Sequence, residues 1–463
     1  MQIDNRVPPL PRLEPRTQQL ILSYFVSATS WLVLGTLIGL LMSVKMPFPD
    51  FLGGTGWISF GRLRPVHTNM LFWGWASTAL VGLALYVVPR VSRAQLYRPE
   101  LARWGLWIWN FTVAWGSVVL LAGQNNGDLE YREYPWYVSL PFAAFVVLAA
   151  IALIGTVARR HEKEIYISSI YIGAGFLWTI VLWAMAYQPF LQNGAGGIVV
   201  QGYYMHSGVG VWFTPLALGS IYYFLPRLLN KPVYSYALGL LGFWTLALYY
   251  PTIGVHHFLF APIPWWLQTV AVLFSVGMML PVWSATGNLL LTCRGEGGII
   301  ARSYPLLFMV VGITIYGLGS LQGTLQALRS VNIVTHFTDW TVAHAHLMMY
   351  GFVSYLAWGG IYALAPRLTG HEPKRFWVGM HFWLATVGIF IYFTFLTIGG
   401  AIRGVALVNG IPFVQSITYE YPYWIARIVG GMLMFLSHVV FAFNVAAMRP
   451  SNAGRVELAE EAA

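Results

Sequence analysis

The stretch Thr335-His336-Phe337-Thr338-Asp339-Trp340-Thr341-Val342-Ala343-His344-Ala345-His346 opens a long apolar run, and its last two histidines decide how the rest is read. On an α-helix, positions i and i+2 lie about 200° apart around the axis, so His344 and His346 face opposite sides. One helix can therefore offer an imidazole to a flat metal cofactor on each flank. The plainer reading is two polar residues satisfied by neighbouring helices. Imidazole in hydrocarbon is costly unless bound or paired, and the other histidines of the chain weigh against the plainer reading.

Outward from that stretch, composition sets the class. The chain has 463 residues, of which 57% are hydrophobic and 9% charged, and its mean hydropathy is +0.63. Soluble domains carry about 25% charged residues. Apolar runs of about 20 residues recur along the whole length, as in a polytopic helical membrane protein. Twelve spans are predicted near 20–44, 66–88, 102–122, 138–158, 166–187, 202–226, 235–257, 265–291, 304–328, 338–366, 376–401 and 423–447. The fold class is all-α, one membrane domain over 1–463 that spans within about 20–447, with tails 1–19 and 448–463. An even number of spans puts both tails on one side. Of the 26 Lys and Arg, 19 fall on that side and 7 on the other, which assigns the tails to the cytoplasm.

The net charge of +10 orients the chain in a bilayer and does not point to nucleic acid. The single cysteine, Cys293, leaves no disulfide framework and no thiolate metal site, and reads as a small buried hydrophobe. The N-terminus is polar and proline-rich, without a cleavable signal pattern. Long outer connections are expected at 45–65, 123–137 and 402–422, and Asp128, Glu130 and Glu133 form the densest acidic cluster among them. No internal repeat is read, and the tail after Pro450 is expected to fray.

With topology assigned, the depths of the histidines can be compared. His67 opens the second span, His206 lies a turn into the sixth, His256 and His257 close the seventh, and His344 and His346 open the tenth. All six fall in the outer third of the membrane. Imidazole suits iron and copper, and no thiolate or carboxylate cluster accompanies these six. They divide most economically into two axial ligands on a six-coordinate heme, one on a five-coordinate heme, and three on a non-heme metal. Opposite helix faces send His344 and His346 to the two hemes, and His67 completes the six-coordinate one. His206, His256 and His257 then hold the non-heme metal. His336 and Asp339 lie one turn above the pair, where they either meet a heme propionate or finish the helix start. His161, His371, His381 and His438 read as solvated or hydrogen-bonded to neighbours.

These residues sit in long strings that resemble one family. SFGRLRPVHTN around His67, NNG…EYREYPW, YYMHSGVGVWFTP around His206, YYFLPRLLNKPVYSY, FWTLALYYPTIGVHH and VNIVTHFTDWTVAHAH are similar to the catalytic subunit of heme–copper oxidases, above all the cbb₃-type (C-family) cytochrome c oxidases. The resemblance covers nearly the whole chain. It implies that His67 and His346 are the axial ligands of low-spin heme b, His344 the proximal ligand of high-spin heme b₃, and His206, His256 and His257 the copper ligands. Tyr250 matches the tyrosine that in this subfamily is covalently joined to the copper ligand on the preceding span, here His206. Arg64 matches a propionate-binding arginine, and Glu133 an acidic residue near a calcium ion that bridges propionates. The implied activity is reduction of O₂ to water, coupled to proton translocation, in the bacterial inner membrane. The chain has no CxxCH heme-attachment motif, so c heme must reside on a membrane-anchored partner subunit at the outer face.

The sister class, the nitric oxide reductases, holds a non-heme iron and makes nitrous oxide from nitric oxide. Those enzymes place a glutamate four residues after the first non-heme ligand and lack the tyrosine. Here that position is Gly210, and Tyr250 is present. A hard carboxylate favours iron, so its absence fits copper. Three positions depart from the oxidase pattern. Gln322 stands where a glutamate is expected, and Gly239 and Gly242 stand where a serine and a histidine are expected on the proton route from the cytoplasm. Tyr234, Ser235 and Tyr236 are the polar groups nearest that route. A transporter, the remaining alternative, predicts ionisable residues at mid-membrane.

Overall fold

Among the described residues, twelve apolar runs become twelve helices long enough to cross a bilayer: α1 (Pro15–Lys45), α2 (Phe60–Ser92), α3 (Pro99–Leu121), α4 (Trp136–Ala158), α5 (Ile167–Ala186), α6 (Gly194–Leu229), α7 (Tyr236–Phe258), α8 (Trp265–Thr292), α9 (Tyr304–Ala327), α10 (Asp339–Thr369), α11 (Arg375–Val408) and α12 (Tyr421–Ala447). The structure, a computed structural model, describes residues 13–127, 129–191 and 193–448, and no strand occurs among them. Backbone groups in hydrocarbon must be satisfied within their own segment, which is why the runs are helical.

The count and order of spans agree with the sequence expectation, but several ends do not. α1 begins at Pro15, so part of the expected N-terminal tail joins the helix. α2 begins six residues early and α6 eight residues early, which carries His67 and His206 further from their helix starts than expected. α11 runs on to Val408 and shortens the connection to α12. Asp128 and the tail after Pro450 lie outside the described residues.

The expectation of no internal repeat is overturned. In α2, α6 and α10 the most apolar window is 94%, 94% and 89% buried, whereas no other span exceeds 50%. These three are four spans apart and form the centre of the bundle. Each is interrupted by a π-helical stretch just after a histidine: Met70–Ser77, Gly208–Phe213 and Leu347–Ser354. Such local widenings cluster at functional sites because they re-aim the side chains around them. In each, a hydroxyl caps a carbonyl five residues back: Ser77 to Phe72 at 2.9 Å, Thr214 to Val209 at 3.4 Å and Ser354 to Met349 at 3.0 Å. Indole donors then tie one span to the next, Trp75 to Ser354 at 2.8 Å and Trp212 to Ser77 at 2.9 Å. Phe352, in the corresponding place on α10, has no donor for the third side.

Each of the three also ends alike. Pro89, Pro226 and Pro366 lie in the last turn, and four residues later the chain turns left-handed at Arg93, Asn230 and Gly370. The left-handed residue returns its N–H to the proline carbonyl or its neighbour, closing the helix end. In sequence the sign is LYVVPR, YYFLPR and YALAPR. It is short and imperfect, and twelve similar apolar runs obscure it.

Candidate metal centre

Two cavities flank the N-terminal half of α10. The first, about 380 Å³, lies among α1, α2, α10, α11 and α12 and is lined by His67 and His346. The second, about 590 Å³, lies among α6, α7, α8, α9 and α10 and is lined by His206, His256, His257, Tyr250 and His344. His344 and His346 thus open onto different cavities, as the spacing of two on one helix dictates.

In the first cavity the His67 and His346 rings face each other, with centres 6.3 Å apart and planes within 18°. Two imidazoles on opposite sides of one metal ion, each bonded at about 2 Å, hold their ring centres roughly 6 Å apart. Both rings are oriented by the main chain. His67 Nδ1 donates to the Gly35 carbonyl at 2.8 Å, and His346 Nδ1 to the Val342 carbonyl at 2.9 Å. That leaves each Nε2 with a lone pair directed into the gap. The approach of α1 depends on Gly39, where an added Cβ would stand 2.4 Å from the His67 ring.

The second cavity holds the one group of three or more metal-binding side chains among the described residues. The donor atoms of His206, His256 and His257 all lie within 4.8 Å of one another. His256 and His257 sit on a 3₁₀ turn, Gly254–Phe258, that ends α7. Gly254 and Gly202 let that turn approach the α6 backbone, since a Cβ on Gly254 would meet the Gly202 oxygen at 2.3 Å. His206 Nδ1 then lies 2.8 Å from His257 Nε2 and 3.1 Å from His256 Nε2. Ser275 Oγ donates to the Ala271 carbonyl at 2.6 Å, so it accepts from His256 Nδ1 at 2.6 Å. His256 Nε2 is therefore a bare lone pair. One proton on His206 Nδ1 serves only one of the two nitrogens facing it, whereas a shared cation serves all three.

Tyr250, one helical turn before the 3₁₀ segment, stacks on His206 with ring centres 4.8 Å apart and planes 28° from parallel. The space it fills belongs to position 210, where an added Cβ would fall 1.5 Å from the Tyr250 ring. A side chain at 210 and the tyrosine at 250 are thus sterically exclusive. His344 reaches into this cavity with its Nδ1 buried and without a partner, and Gly323 makes room for its ring. Gln322 turns from the cavity towards Thr397, at 3.4 Å.

Around the rim, Arg64 lines both cavities and pairs with Glu130 at 2.5 Å and Glu133 at 3.5 Å. Glu133 also accepts from the Asn69 amide at 3.1 Å. Burial pushes its carboxyl up to about 7 against the pull of Arg64. His336 caps a short helix and stacks on Phe337; burial holds its ring below the usual imidazole range. Thr338, not Asp339, caps α10. Asp339 instead accepts from Trp424 Nε1 at 2.6 Å and faces Arg427 at 3.9 Å. A carboxylate so engaged does not bind a propionate directly; it holds Arg427 in place.

Arg427 is the residue that sequence reading passed over. It is buried, lines the first cavity, and lies over the Tyr392 ring at 5.5 Å. Its signal was an arginine inside an apolar run, YPYWIARIVGG, where a charge is costly without a partner. Nearby, Arg403 donates to Glu420 at 2.6 Å, and the pair is buried above the second cavity. Of the three polar groups expected on the inner route, Ser235 caps α7, Tyr236 donates to the Ile165 carbonyl, and Tyr234 is exposed.

Comparison with known proteins follows the same line. The sequence profile of the family described as cytochrome c and quinol oxidase polypeptide I matches residues 19–433. The chain is 30% identical over 445 residues to the cbb3-type cytochrome c oxidase subunit CcoN1 of Stutzerimonas stutzeri, covering 92% of this chain and 94% of that one. It is 27% identical over 429 residues to a nitric oxide reductase polypeptide of the same organism, covering 85% and 86%. A heme-copper terminal oxidase dimer solved by cryo-EM superposes with a TM-score of 0.77 at 16% identity, over 95% of this chain and 85% of that one, a likeness of fold.

Proposed function

The chain belongs to the cytochrome c and quinol oxidase polypeptide I family, the catalytic subunits of heme–copper oxidases, and from that premise we propose that it reduces O₂ to water as the catalytic subunit of a cbb₃-type oxidase. The observation that carries the reading is the meeting of His206, His256 and His257 beside His344 in one cavity, with the Tyr250 ring on His206. Electrons arrive from a membrane-anchored c-type cytochrome subunit at the outer face. The enzyme sits in the bacterial plasma membrane with both termini in the cytoplasm, and its turnover is coupled to proton translocation.

The donor sets fit the cofactors. The gap between His67 and His346 suits a low-spin heme b, His344 with its unpartnered Nδ1 suits a heme b₃, and the three converging imidazoles suit copper. When bound, these groups supply the electron storage and the oxygen chemistry. The chain itself does the rest. Gly35, Val342 and Ser275 fix which imidazole nitrogen carries the proton. Arg64 and Arg427 offer positive charge to heme propionates at the rim, with Asp339 and Trp424 positioning Arg427 and His336 closing the other side. Tyr250 holds a phenolic proton at the edge of the three-histidine cluster, where it can release a proton and an electron together. Calcium is the poorest fit, because the Glu133 carboxylate already faces a guanidinium and an amide. No step here depends on it.

The nitric oxide reductase reading requires a carboxylate beside the non-heme metal, and Tyr250 fills the place at Gly210 where it would stand. Metal analysis of the purified complex, with oxygen consumption, tests the choice. One copper for two hemes is the expected result; three irons without copper would favour the reductase.

A further inference from the structure

The serine and histidine expected at 239 and 242 are both glycine, yet neither place is empty. A Cβ on Gly239 would meet the Ile167 Cδ1 methyl at 2.4 Å, with Asn288 Nδ2 at 3.4 Å and the Tyr222 hydroxyl at 3.5 Å. A Cβ on Gly242 would lie 3.2 Å from the Tyr171 hydroxyl. Ile167 therefore fills the place at 239, while the Tyr171 hydroxyl, with Tyr222 beside it, stands against the face of α7 that a side chain at 242 would have used. Tyr171 is buried, donates to the Gly239 carbonyl at 3.4 Å, and stacks on Tyr222 with ring centres 5.7 Å apart and planes within 26°. Tyr222 accepts from Asn288 at 3.3 Å, and Asn288 also bonds the Ser235 main chain.

Towards the cytoplasm this group approaches a charged cavity of about 690 Å³, lined among others by Glu164, Tyr166, Lys231 and Tyr236. Tyr166, which lines that cavity, donates to the main-chain carbonyl of Tyr222 at 3.0 Å. Towards the metal cluster stands Tyr316 on α9, buried and within electrostatic reach of both Tyr222 and Tyr250. The titratable groups facing Tyr171 are Tyr222 on α6 and Tyr316 on α9.

We infer that Tyr171 is a proton-carrying residue in this chain, supplying from α5 the hydroxyl that α7 lacks at Gly239 and Gly242. A proton arriving at Tyr171 Oη releases the one it carries towards Tyr316 and Tyr250. The phenol is unchanged overall and exchanges no electron, and waters bridge steps longer than a hydrogen bond. The inference rests on the oxidase reading above.

The test uses the intact complex with its partner subunits. Tyr171→Phe should lower oxygen turnover about tenfold and raise the solvent deuterium isotope effect, with heme and copper content unchanged. Adding Gly242→Ser to that variant should restore most of the turnover, because removing the phenolic oxygen clears the atom nearest a Cβ at 242. Should Tyr171→Phe fail to assemble, 3-fluorotyrosine at 171 keeps the shape and lowers the phenol pKa. It should move the alkaline limb of the turnover profile to lower pH. A Tyr171→Phe complex with full turnover, a loss that Gly242→Ser does not relieve, or an unmoved alkaline limb overturns the inference. A wild-type complex that lacks copper or consumes no oxygen overturns the oxidase reading instead.

Discussion

The two cavities beside α10 solve the same problem, holding imidazole in hydrocarbon, by different means. In the His67–His346 gap the rings are held by carbonyls of the main chain, Gly35 and Val342, and the donors face across an open space. In the His206–His256–His257 cluster one ring is held by a side chain, Ser275, and the donors already crowd together at 2.8 and 3.1 Å. The first site is built into helix geometry, so few substitutions reach its hydrogen bonds. The second is assembled from a histidine on α6, a turn and a tyrosine on α7 and a serine on α8, and should be the easier to dismantle.

Substitution breaks that contrast most severely at the cluster. His257→Ala should abolish copper binding and lower oxygen turnover by more than about a thousandfold, while the low-spin heme spectrum persists. If the low-spin signal vanished as well, the two sites could not be treated as independent. Gly39→Val attacks the other side. Its Cβ would press on the His67 ring from 2.4 Å, so the six-coordinate spectrum should fade and turnover drop about a hundredfold, with copper retained. Ser275→Ala is milder. It removes the acceptor that fixes His256, and copper affinity should fall about tenfold, as measured by chelator competition.

The smallest effect concerns the rim. Burial first, then the Asp339 charge, pushes the Glu420 carboxyl up to about 7 against the pull of Arg403. The folded chain therefore binds this proton more tightly than the unfolded chain. The resulting stabilisation is complete below about pH 4.5 and is lost as pH rises through about 7. Thermal stability of the complex should decline across that range, and Glu420→Gln should flatten the decline. An equal decline in the variant would assign the pH dependence to another group.

Much of this arrangement was legible in the residues. Twelve apolar runs announce twelve spans, because hydrocarbon tolerates only internally bonded backbone. A histidine pair two apart announces two faces of one helix. Other features were not. The π-helical stretches after His67, His206 and His346 leave no local mark, since they arise from packing among α2, α6 and α10. The early start of α2 escaped because Arg62 and Arg64 open it, and that of α6 because glycines at 194, 196 and 197 do. Arg427 was passed over because its partner, Asp339, lies on another span.

Sequence alone settled the membrane class, the number and order of the spans, and which histidines share a level. Periodicity and hydrophobicity are local properties, and each span carries its own. Tertiary structure alone decided that Tyr250 and a side chain at 210 exclude each other, that Asp339 serves Arg427, and that Ile167 stands in front of Gly239 and the Tyr171 phenol in front of Gly242. Those facts concern volume shared between helices far apart in the chain, and no single segment encodes who fills it.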